Sequence, residues 1–456
     1  MEKTIAAVST PPGVGGIAVI RISGENAVDI ADRVYKGKSK LCDVPTHTVH
    51  YGFIKNKDGV KIDEALVTVM RAPRSFTAED VVEISIHGSA ITARETLAAV
   101  IDAGAAAAGP GEFTKRAFLN GRIDLSQAEA VIDIINSKNE MSRKNALSQL
   151  EGGLSDKING CRDRLVGLAA SMQVIIDYPD EDLEDVTAED IIAVCGGVLG
   201  DVKRLIGTAD RGRIIQNGIK TAIAGKPNVG KSSLMNILSG GERAIVTDIA
   251  GTTRDVIEEY ADIGVPLRLL DTAGIRETED KVEKIGVERS KRCIEEADLV
   301  IVMLDAERGV DDEDRLIIQS TEGKKRIIVV NKTDLKGDIS GMESGITPDE
   351  GEEVIGISAK SGEGVERLAE RIKEMYSLGE LEAADMSFVT NMRHRAALEG
   401  AEKALARATD ALEAGMPSDI ASIDINEAID ALGEITGATV SEDIVNEIFH
   451  SFCVGK

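Results

Sequence analysis

The 456-residue sequence has no apolar run of about 18 residues, the length that a membrane-spanning helix requires. Its first residues, Met-Glu-Lys-Thr-Ile, contain no signal-peptide core, so we expect a cytoplasmic protein with no membrane partner. The five cysteines are odd in number, widely spaced and without a Cys-x-x-Cys pair, which argues against disulfides and a zinc site. A formal net charge of −26 argues against a broad basic surface for nucleic acid. Any contact with nucleic acid should therefore be local or shared with a partner.

Five short segments between residues 225 and 360 follow the order and spacing of the motifs of a guanine nucleotide-binding domain. One such motif could occur by chance, but five in order indicate a GTPase domain. The segments are Gly225–Ser232, Gly251–Asp255, Asp271–Gly274, Asn331–Asp334 and Ser358–Lys360.

The first segment has the surroundings that a phosphate-binding loop requires. The apolar run Thr221–Ala224 before it predicts a strand, and Ser233–Leu238 after it predicts a helix. Backbone N–H groups and the N-terminus of that helix would hold the phosphates of a nucleotide. Lys231 would reach the outer phosphates, and the hydroxyl group of Ser232 would bind magnesium.

The fourth segment, Asn331–Asp334, follows the predicted strand Arg326–Val330 and distinguishes guanine from adenine. The carboxylate of Asp334 can accept hydrogen bonds from N1–H and the exocyclic amine of guanine, and adenine offers neither donor there. The sequence therefore predicts a GTP site.

Two groups that many GTPases use for hydrolysis are missing from these motifs. Ile275 occupies the position directly after Asp271–Gly274 at which a glutamine would orient the attacking water, and its side chain forms no hydrogen bonds. No arginine can be assigned as a finger. Other groups must therefore orient the water and neutralise the charge of the transition state.

The length predicts about three domains, and the spacing of apolar residues divides the chain accordingly. Residues 1–121 predict an α+β domain, and residues 122–216 and 379–456 have the periodicity of helices. Residues 217–378 alternate strand and helix. The predicted fold class is multidomain: an α+β N-terminal domain and a helical domain, with a doubly wound α/β P-loop GTPase domain inserted into the helical one.

Within residues 1–121, the pattern predicts particular strands and helices. The strands are expected at Gly16–Ser23, Ala65–Met70 and Val81–Ile86, and the helices near Asn26–Val34 and Ala90–Ala103.

Three further stretches resemble the tRNA-modification GTPase family MnmE, also called TrmE, and the similarity runs from one end of the chain to the other. They are Thr10–Gly24, Pro110–Ala130 and Phe452–Lys456, the last of which is similar to the family's Cys-x-Gly-Lys terminus. All three lie outside the GTPase motifs, so shared GTPase ancestry alone does not account for them. The resemblance implies a homodimer, and a heterotetramer with the flavin-dependent protein MnmG that acts on tRNA.

The resemblance also implies how hydrolysis proceeds without the missing groups. Asn228 and the loop Thr247–Gly251 would bind potassium, whose charge replaces that of an arginine finger. Thr253 would join Ser232 in binding magnesium, and Glu283 would orient the attacking water. Two GTPase domains would meet across these loops, so that hydrolysis is tied to dimerisation.

The catalytic residues are thus expected to be Glu283, Lys231 and Asn228. The expected potassium ligands are Asn228, Thr247, Ile249 and Thr252. The residues expected to contact GTP are Asn228, Val229, Gly230, Lys231, Ser232, Ser233, Thr247, Asp248, Ile249, Ala250, Gly251, Thr252, Thr253, Asp271, Thr272, Ala273, Gly274, Asn331, Lys332, Asp334, Ser358, Ala359 and Lys360.

A folate site is implied as well, for 5-formyl- or 5,10-methylenetetrahydrofolate. Arg21, Glu83, Arg122 and Lys456 would contact it, because cationic groups suit the glutamate tail and a carboxylate suits the donors of the pterin. Cys453 has two interpretations: a reactive thiol near the one-carbon unit, or a small buried residue in a C-terminal helix. We expect the second.

The resemblance implies a cytoplasmic, potassium-dependent GTPase that, with MnmG, places a carboxymethylaminomethyl or aminomethyl group on carbon 5 of the wobble uridine of certain tRNAs. Tetrahydrofolate would supply the bridging carbon, and glycine or ammonium the nitrogen. One alternative is a ribosome-assembly GTPase, and another is a folate-dependent group-transfer enzyme that GTP only regulates. The equal numbers of acidic and basic residues in residues 1–121 argue against the first alternative, which usually carries a basic RNA-binding domain.

Overall fold

The computed structural model of the chain describes residues 3–177, 187–240, 258–270, 292–336, 352–376, 388–450 and 452–455. The chain forms two compact units, and each is discontinuous in sequence. The first contains Met1–Ile135, Ala146–Lys203 and Ala396–Lys456, and the second contains Asn136–Asn145 and Arg204–Arg395.

A seven-stranded sheet forms the N-terminal part of the first unit. Its strands are β1 (Ile5–Val8), β2 (Gly15–Ser23), β3 (Tyr35–Gly37), β4 (Thr48–Lys55), β5 (Lys61–Met70), β6 (Val81–Gly88) and β7 (Ala106–Ala107). Their order in the sheet is β3-β4-β5-β6-β2-β1-β7. Neighbouring strands are antiparallel except for β1 and β7.

Two helices, α1 (Ala27–Val34) and α2 (Ala90–Asp102), contribute to the hydrophobic core of this sheet. Successive side chains of a strand point to opposite faces, so Ile20 and Ile22 of β2 enter that core. Arg21, between them, lies on the other face, opposite Glu83 of β6 in the strand register. The strand alternation therefore places a predicted pair of site residues side by side on one face of the sheet.

The remainder of the first unit is helical. Helices α3 (Glu112–Leu119) and α4 (Leu125–Asn136) share an apolar cluster with a helix near the carboxyl end, Glu442–His450. The long helix Gly153–Asp177 packs against Ser418–Thr436, through small and branched side chains. The described residues also contain the helices Glu140–Leu150, Ala188–Gly207 and Met392–Glu413 and, in the second unit, Ala209–Asn217.

The second unit is built on a six-stranded sheet. Its strands are β8 (Ile219–Ala224), β9 (Glu258–Asp262), β10 (Pro266–Leu270), β11 (Leu299–Asp305), β12 (Arg326–Asn331) and β13 (Val354–Gly356). Their order is β13-β12-β11-β8-β10-β9, with only the β9–β10 pair antiparallel. This unit also contains the helices Lys231–Ser239, Asp312–Gln319 and Val365–Met375. Every residue of β11 and β12 is buried, as expected for parallel strands covered on both faces.

The predicted fold class is confirmed: an α+β sheet domain, helices, and a doubly wound α/β domain occur in one chain. The three strands and two helices expected in residues 1–121 are also present, with small differences at their ends. The domain boundaries at residues 121, 216 and 378 stay predictions. No helix within the described residues is long and apolar enough to cross a membrane.

Candidate functional site

The phosphate loop lies between strand β8 and the helix Lys231–Ser239, as the sequence predicts. Strand β8 lies between β11 and β10, where the order of the strands along the sheet reverses, and such a switch point is where open α/β sheets bind ligands. Gly230 closes the loop with φ = 105°, in the region that glycine tolerates best. A Cβ atom there would lie 2.1 Å from Nδ2 of Asn331, so the position also requires a residue without a side chain.

Lys231 is held against the loop by its own ammonium group. Its Nζ atom donates hydrogen bonds to the carbonyl oxygen atoms of Gly225 (2.6 Å) and Lys226 (2.8 Å). Burial lowers the pKa of Lys231, because the charged form has lost part of its water. An anion beside this ammonium would compensate for the lost water, so the position suits a phosphate. Ser232 and Ser233 follow in the first turn of the helix and are exposed.

Asn331 connects three of the five motifs. It ends strand β12 and is buried, with 3% of its surface exposed. Its Nδ2 donates to the carbonyl oxygen of Val229 in the phosphate loop (2.7 Å), and its Oδ1 accepts from the backbone N–H of Ala359 (2.8 Å). The amide side chain therefore holds together the phosphate loop, the Asn331–Asp334 segment and the Ser358–Lys360 segment.

Asp334 lies three residues beyond the strand and is exposed, which leaves its carboxylate accessible to a base. The hydroxyl group of the buried Ser358 donates to its Oδ1 atom at 2.9 Å and so fixes its orientation. Lys332 has φ = 67°, and its Nζ atom lies 2.6 Å from Oδ2 of Asp305 at the end of β11. Lys360, two residues after Ser358, is exposed.

The structure thus brings together the predicted GTP contacts that it describes, from residues 228–233, 331–334 and 358–360. Several predicted site residues lie outside the described residues. They are Thr247, Asp248, Ile249, Ala250, Gly251, Thr252, Thr253, Asp271, Thr272, Ala273, Gly274, Glu283 and Lys456, together with Ile275.

The predicted folate residues Arg21, Glu83 and Arg122 lie in the first unit. Arg21 binds Glu83 through two contacts to Oε1, from Nε at 2.9 Å and from a terminal nitrogen at 2.8 Å. The guanidinium carbon of Arg21 lies 5.0 Å from the ring centre of Phe76, and that of Arg122 lies 5.2 Å from the same ring. Arg122 also donates to the carbonyl oxygen of Phe76 at 2.8 Å. Arg21 and Arg122 therefore meet at one aromatic side chain, and Glu83 joins them through its contact with Arg21.

Phe76 was not predicted from the sequence, and no motif identifies it. Lys226 and Asp305 were missed because the side chain of each forms an ion pair with a residue distant in sequence. Lys226 pairs with Asp311, and Asp305 pairs with Lys332. A single sequence contains no signal for such contacts.

The buried, helical interpretation of Cys453 is wrong. The helix Glu442–His450 ends before it, and Cys453 is exposed. Its carbonyl oxygen accepts from the backbone N–H of Gly111 (3.3 Å), and Val454 forms an antiparallel bridge with Pro110. This extended pairing with a distant segment draws the chain out of helical geometry.

Two family models match the chain. The one described as "GTP-binding protein TrmE N-terminus" matches residues 4–122, and the "MnmE helical domain" matches residues 125–453.

Proteins named "tRNA modification GTPase MnmE" are similar over their whole length. The one from Acetivibrio thermocellus is 50% identical over 100% of this chain and 99% of its own length. The one from Lactobacillus delbrueckii subsp. bulgaricus is 49% identical over 99% and 98%. Among solved structures, Aquifex aeolicus Era bound to GDP and AlF4⁻ is 33% identical over 40% of this chain and 65% of that chain, with a TM-score of 0.28.

The geometry around Asp334 generates a prediction about the base. Asp334→Asn should weaken binding of GTP and shift preference toward xanthosine triphosphate, because the amide offers a donor where the carboxylate accepts. Titration of the full chain with fluorescent GTP and xanthosine triphosphate measures both affinities. Asp312→Asn, at an exposed acidic residue of the same unit, is the matched control and should bind GTP as the parent does. Unchanged GTP affinity in Asp334→Asn would show that Asp334 does not bind the base.

Proposed function

The chain belongs to the MnmE family of tRNA modification GTPases, and from this membership we propose that it is a potassium-dependent GTPase acting on the wobble uridine of certain tRNAs. The arrangement of Lys231, Asn331 and Asp334 at one edge of the second sheet supports binding of a guanine nucleotide. Binding residues for phosphate and base lie on connected loops, so a single nucleotide can engage both.

Hydrolysis is proposed to depend on cations that the phosphate loop helps to hold. Asn228 is exposed in that loop with φ = 66°, a conformation that asparagine tolerates better than most residues. Its position suits a potassium ligand, and the exposed hydroxyl group of Ser232 at the helix N-terminus suits magnesium. Bound potassium would supply positive charge beside the phosphates. Glu283 is proposed to orient the attacking water.

The first unit is proposed to bind a tetrahydrofolate derivative. Arg122 offers a guanidinium group to the carboxylates of its glutamate tail, and Glu83, which Arg21 holds in place, offers an acceptor to the donors of the pterin. The cluster fits such a ligand because cations and a carboxylate lie on an aromatic surface at one face of the sheet. Tetrahydrofolate would supply the one-carbon unit for the modification. Lys456 is proposed to complete the site.

The proposed partners are tRNA, a second copy of this chain and the flavin-dependent protein MnmG. With MnmG, the chain would place an aminomethyl or carboxymethylaminomethyl group on carbon 5 of the uridine, with ammonium or glycine as the nitrogen source. The GTPase cycle would drive a conformational change in the complex and not the carbon chemistry. We propose that this takes place in the cytoplasm. The ribosome-assembly alternative is less favoured, because it does not account for the match of residues 4–122 to a TrmE domain.

Analysis of the nucleosides in tRNA tests the proposed function directly. In a bacterium that lacks its own MnmE, expression of this chain should restore the modified wobble uridine in digested tRNA analysed by mass spectrometry. Lys231→Ala should not restore it, because the ammonium that faces the phosphates is lost. If the parent chain leaves the wobble uridine unmodified and instead alters ribosomal subunit profiles, the assembly alternative is the better description.

The rate of GTP hydrolysis tests the cation mechanism. We expect high turnover in potassium chloride and little in sodium chloride, because the smaller ion fits the same ligands poorly. Asn228→Ala should abolish the response to potassium, whereas Asn236→Ala, in the exposed face of the following helix, should keep it. Glu283→Ala should lower turnover by roughly 10²-fold while GTP still binds. Equal rates in the two salts, with full activity of Glu283→Ala, would falsify this mechanism.

Calorimetry with 5-formyltetrahydrofolate tests the folate site. Arg21→Ala and Arg122→Ala should each weaken binding by about tenfold, the scale for losing one charge-assisted contact to a carboxylate. Arg33→Ala is the matched control, since Arg33 is an exposed arginine of the same domain that contacts only the carbonyl oxygen of Ala103 among the contacts described for it. Full affinity in the double variant of Arg21 and Arg122 would exclude this site.

A further inference from the structure

Lys226, the second residue of the phosphate loop, is fixed by two carboxylates. Its side chain is 8% exposed. Its Nζ atom lies 2.5 Å from Oδ2 of Asp311 and 2.8 Å from Oδ2 of Asp314. Both carboxylates belong to the N-terminus of the helix Asp312–Gln319, where Asp311 caps the backbone N–H groups of Glu313 and Asp314.

Lys226 and the N-terminus of this helix depend on each other, because the carboxylate of Asp314 is only 2% exposed and lies 2.8 Å from the Lys226 ammonium. The N-terminus of a helix carries partial positive charge, which stabilises carboxylates and disfavours an ammonium group. An ammonium group as buried as that of Lys226 would be unfavourable there without nearby negative charge. The hydrogen bond from Lys226 is the main reason that the pKa of Asp311 is lowered to about 2. The two carboxylates in turn raise the pKa of Lys226, so the ion pair of Lys226 and Asp311 is charged at neutral pH.

The backbone of Lys226 contacts the phosphate-binding lysine. Its carbonyl oxygen accepts a hydrogen bond from Nζ of Lys231 at 2.8 Å, beside the one that Gly225 accepts at 2.6 Å. Lys226 thus has its side chain anchored outside the loop and its carbonyl group in contact with Lys231. Movement of the anchored side chain would move the carbonyl group on which the Lys231 ammonium rests.

The same segment, Asp305–Asp314, also anchors the base-binding loop. Asp305 at its start lies 2.6 Å from Nζ of Lys332, and its side chain is 2% exposed. One segment therefore pairs with a lysine of the phosphate loop and with a lysine of the base-binding loop. None of its residues belongs to the five motifs.

We propose that Lys226, held by Asp311 and Asp314, is a positioning residue of the GTPase. By fixing the carbonyl group of Lys226, the ion pair places the Lys231 ammonium where the outer phosphates of GTP bind. The proposal requires only the GTPase activity and is independent of potassium and folate.

Substitution of Lys226 in the full-length chain tests the role. Lys226→Met removes the charge and keeps much of the side-chain length, so GTP affinity should fall about tenfold and turnover at saturating GTP should fall too. Lys226→Arg retains a cation and should restore most of both. The matched control is Arg315→Met, which removes an exposed ion pair with Asp312 in the same helix and should change neither quantity. A purely structural role would lower the unfolding temperature and leave the affinity unchanged.

Asp311→Asn is the second variant, because asparagine caps a helix as well as aspartate does while the charge is lost. We expect it to weaken GTP binding in the same direction, and to add little to the effect of Lys226→Met when the two are combined. The proposal is overturned if Lys226→Met binds and hydrolyses GTP as the parent does, whatever its unfolding temperature. If Lys226→Met does not fold, parental affinity and turnover in Asp311→Asn overturn it equally.

Discussion

The buried amide of Asn331 is the contact on which the nucleotide site depends. Its donor and its acceptor are both used, one on the phosphate loop and one on the Ser358–Lys360 segment. A buried polar group that loses its partner costs on the order of 1–3 kcal/mol, and removal of this side chain would leave two such groups. The same amide leaves no space for a side chain at Gly230. Both this contact and its φ of 105° therefore favour glycine at position 230.

Patterns among residues adjacent in sequence predicted the strands, loops and helices that those residues form. The strand, loop and helix around Gly225–Ser232 follow from apolar runs and glycines that are adjacent in sequence. Arg21 and Glu83 were assigned to one site by resemblance alone, and their direct pairing was not predicted, because it depends on the antiparallel register of β2 and β6, which a single sequence does not fix. Cys453 was misread because its conformation depends on Pro110 and Gly111, more than three hundred residues earlier. Lys226 and Phe76 were missed for the same physical reason.

The ligands proposed for the two candidate sites are anions, although the net charge of the chain is −26. At physiological ionic strength, interactions between exposed charges are screened beyond about 8 Å, so the overall charge has little effect inside a site. What matters is the set of nearby cations, and two of these are held by carboxylates: Arg21 by Glu83, and Lys332 by Asp305. The carboxylates fix the orientation of the cations. They also reduce the local positive charge, so that negative charge alone is not enough for binding and a ligand must also fit the shape of the site.

The antiparallel bridge between Pro110 and Val454 sets an order of events during synthesis. The ribosome makes the strands of the first unit early, then the whole of the second unit, and Val454 only afterwards. Gly455, with φ = 94°, lies so close to the backbone of Val8 that it too belongs to the neighbourhood of the first strand. The surroundings of the first strand are thus completed last. Until Glu442–His450 is made, the apolar side chains of α3 and α4 also lack part of their cluster, and apolar surface exposed at such a stage is prone to aggregation.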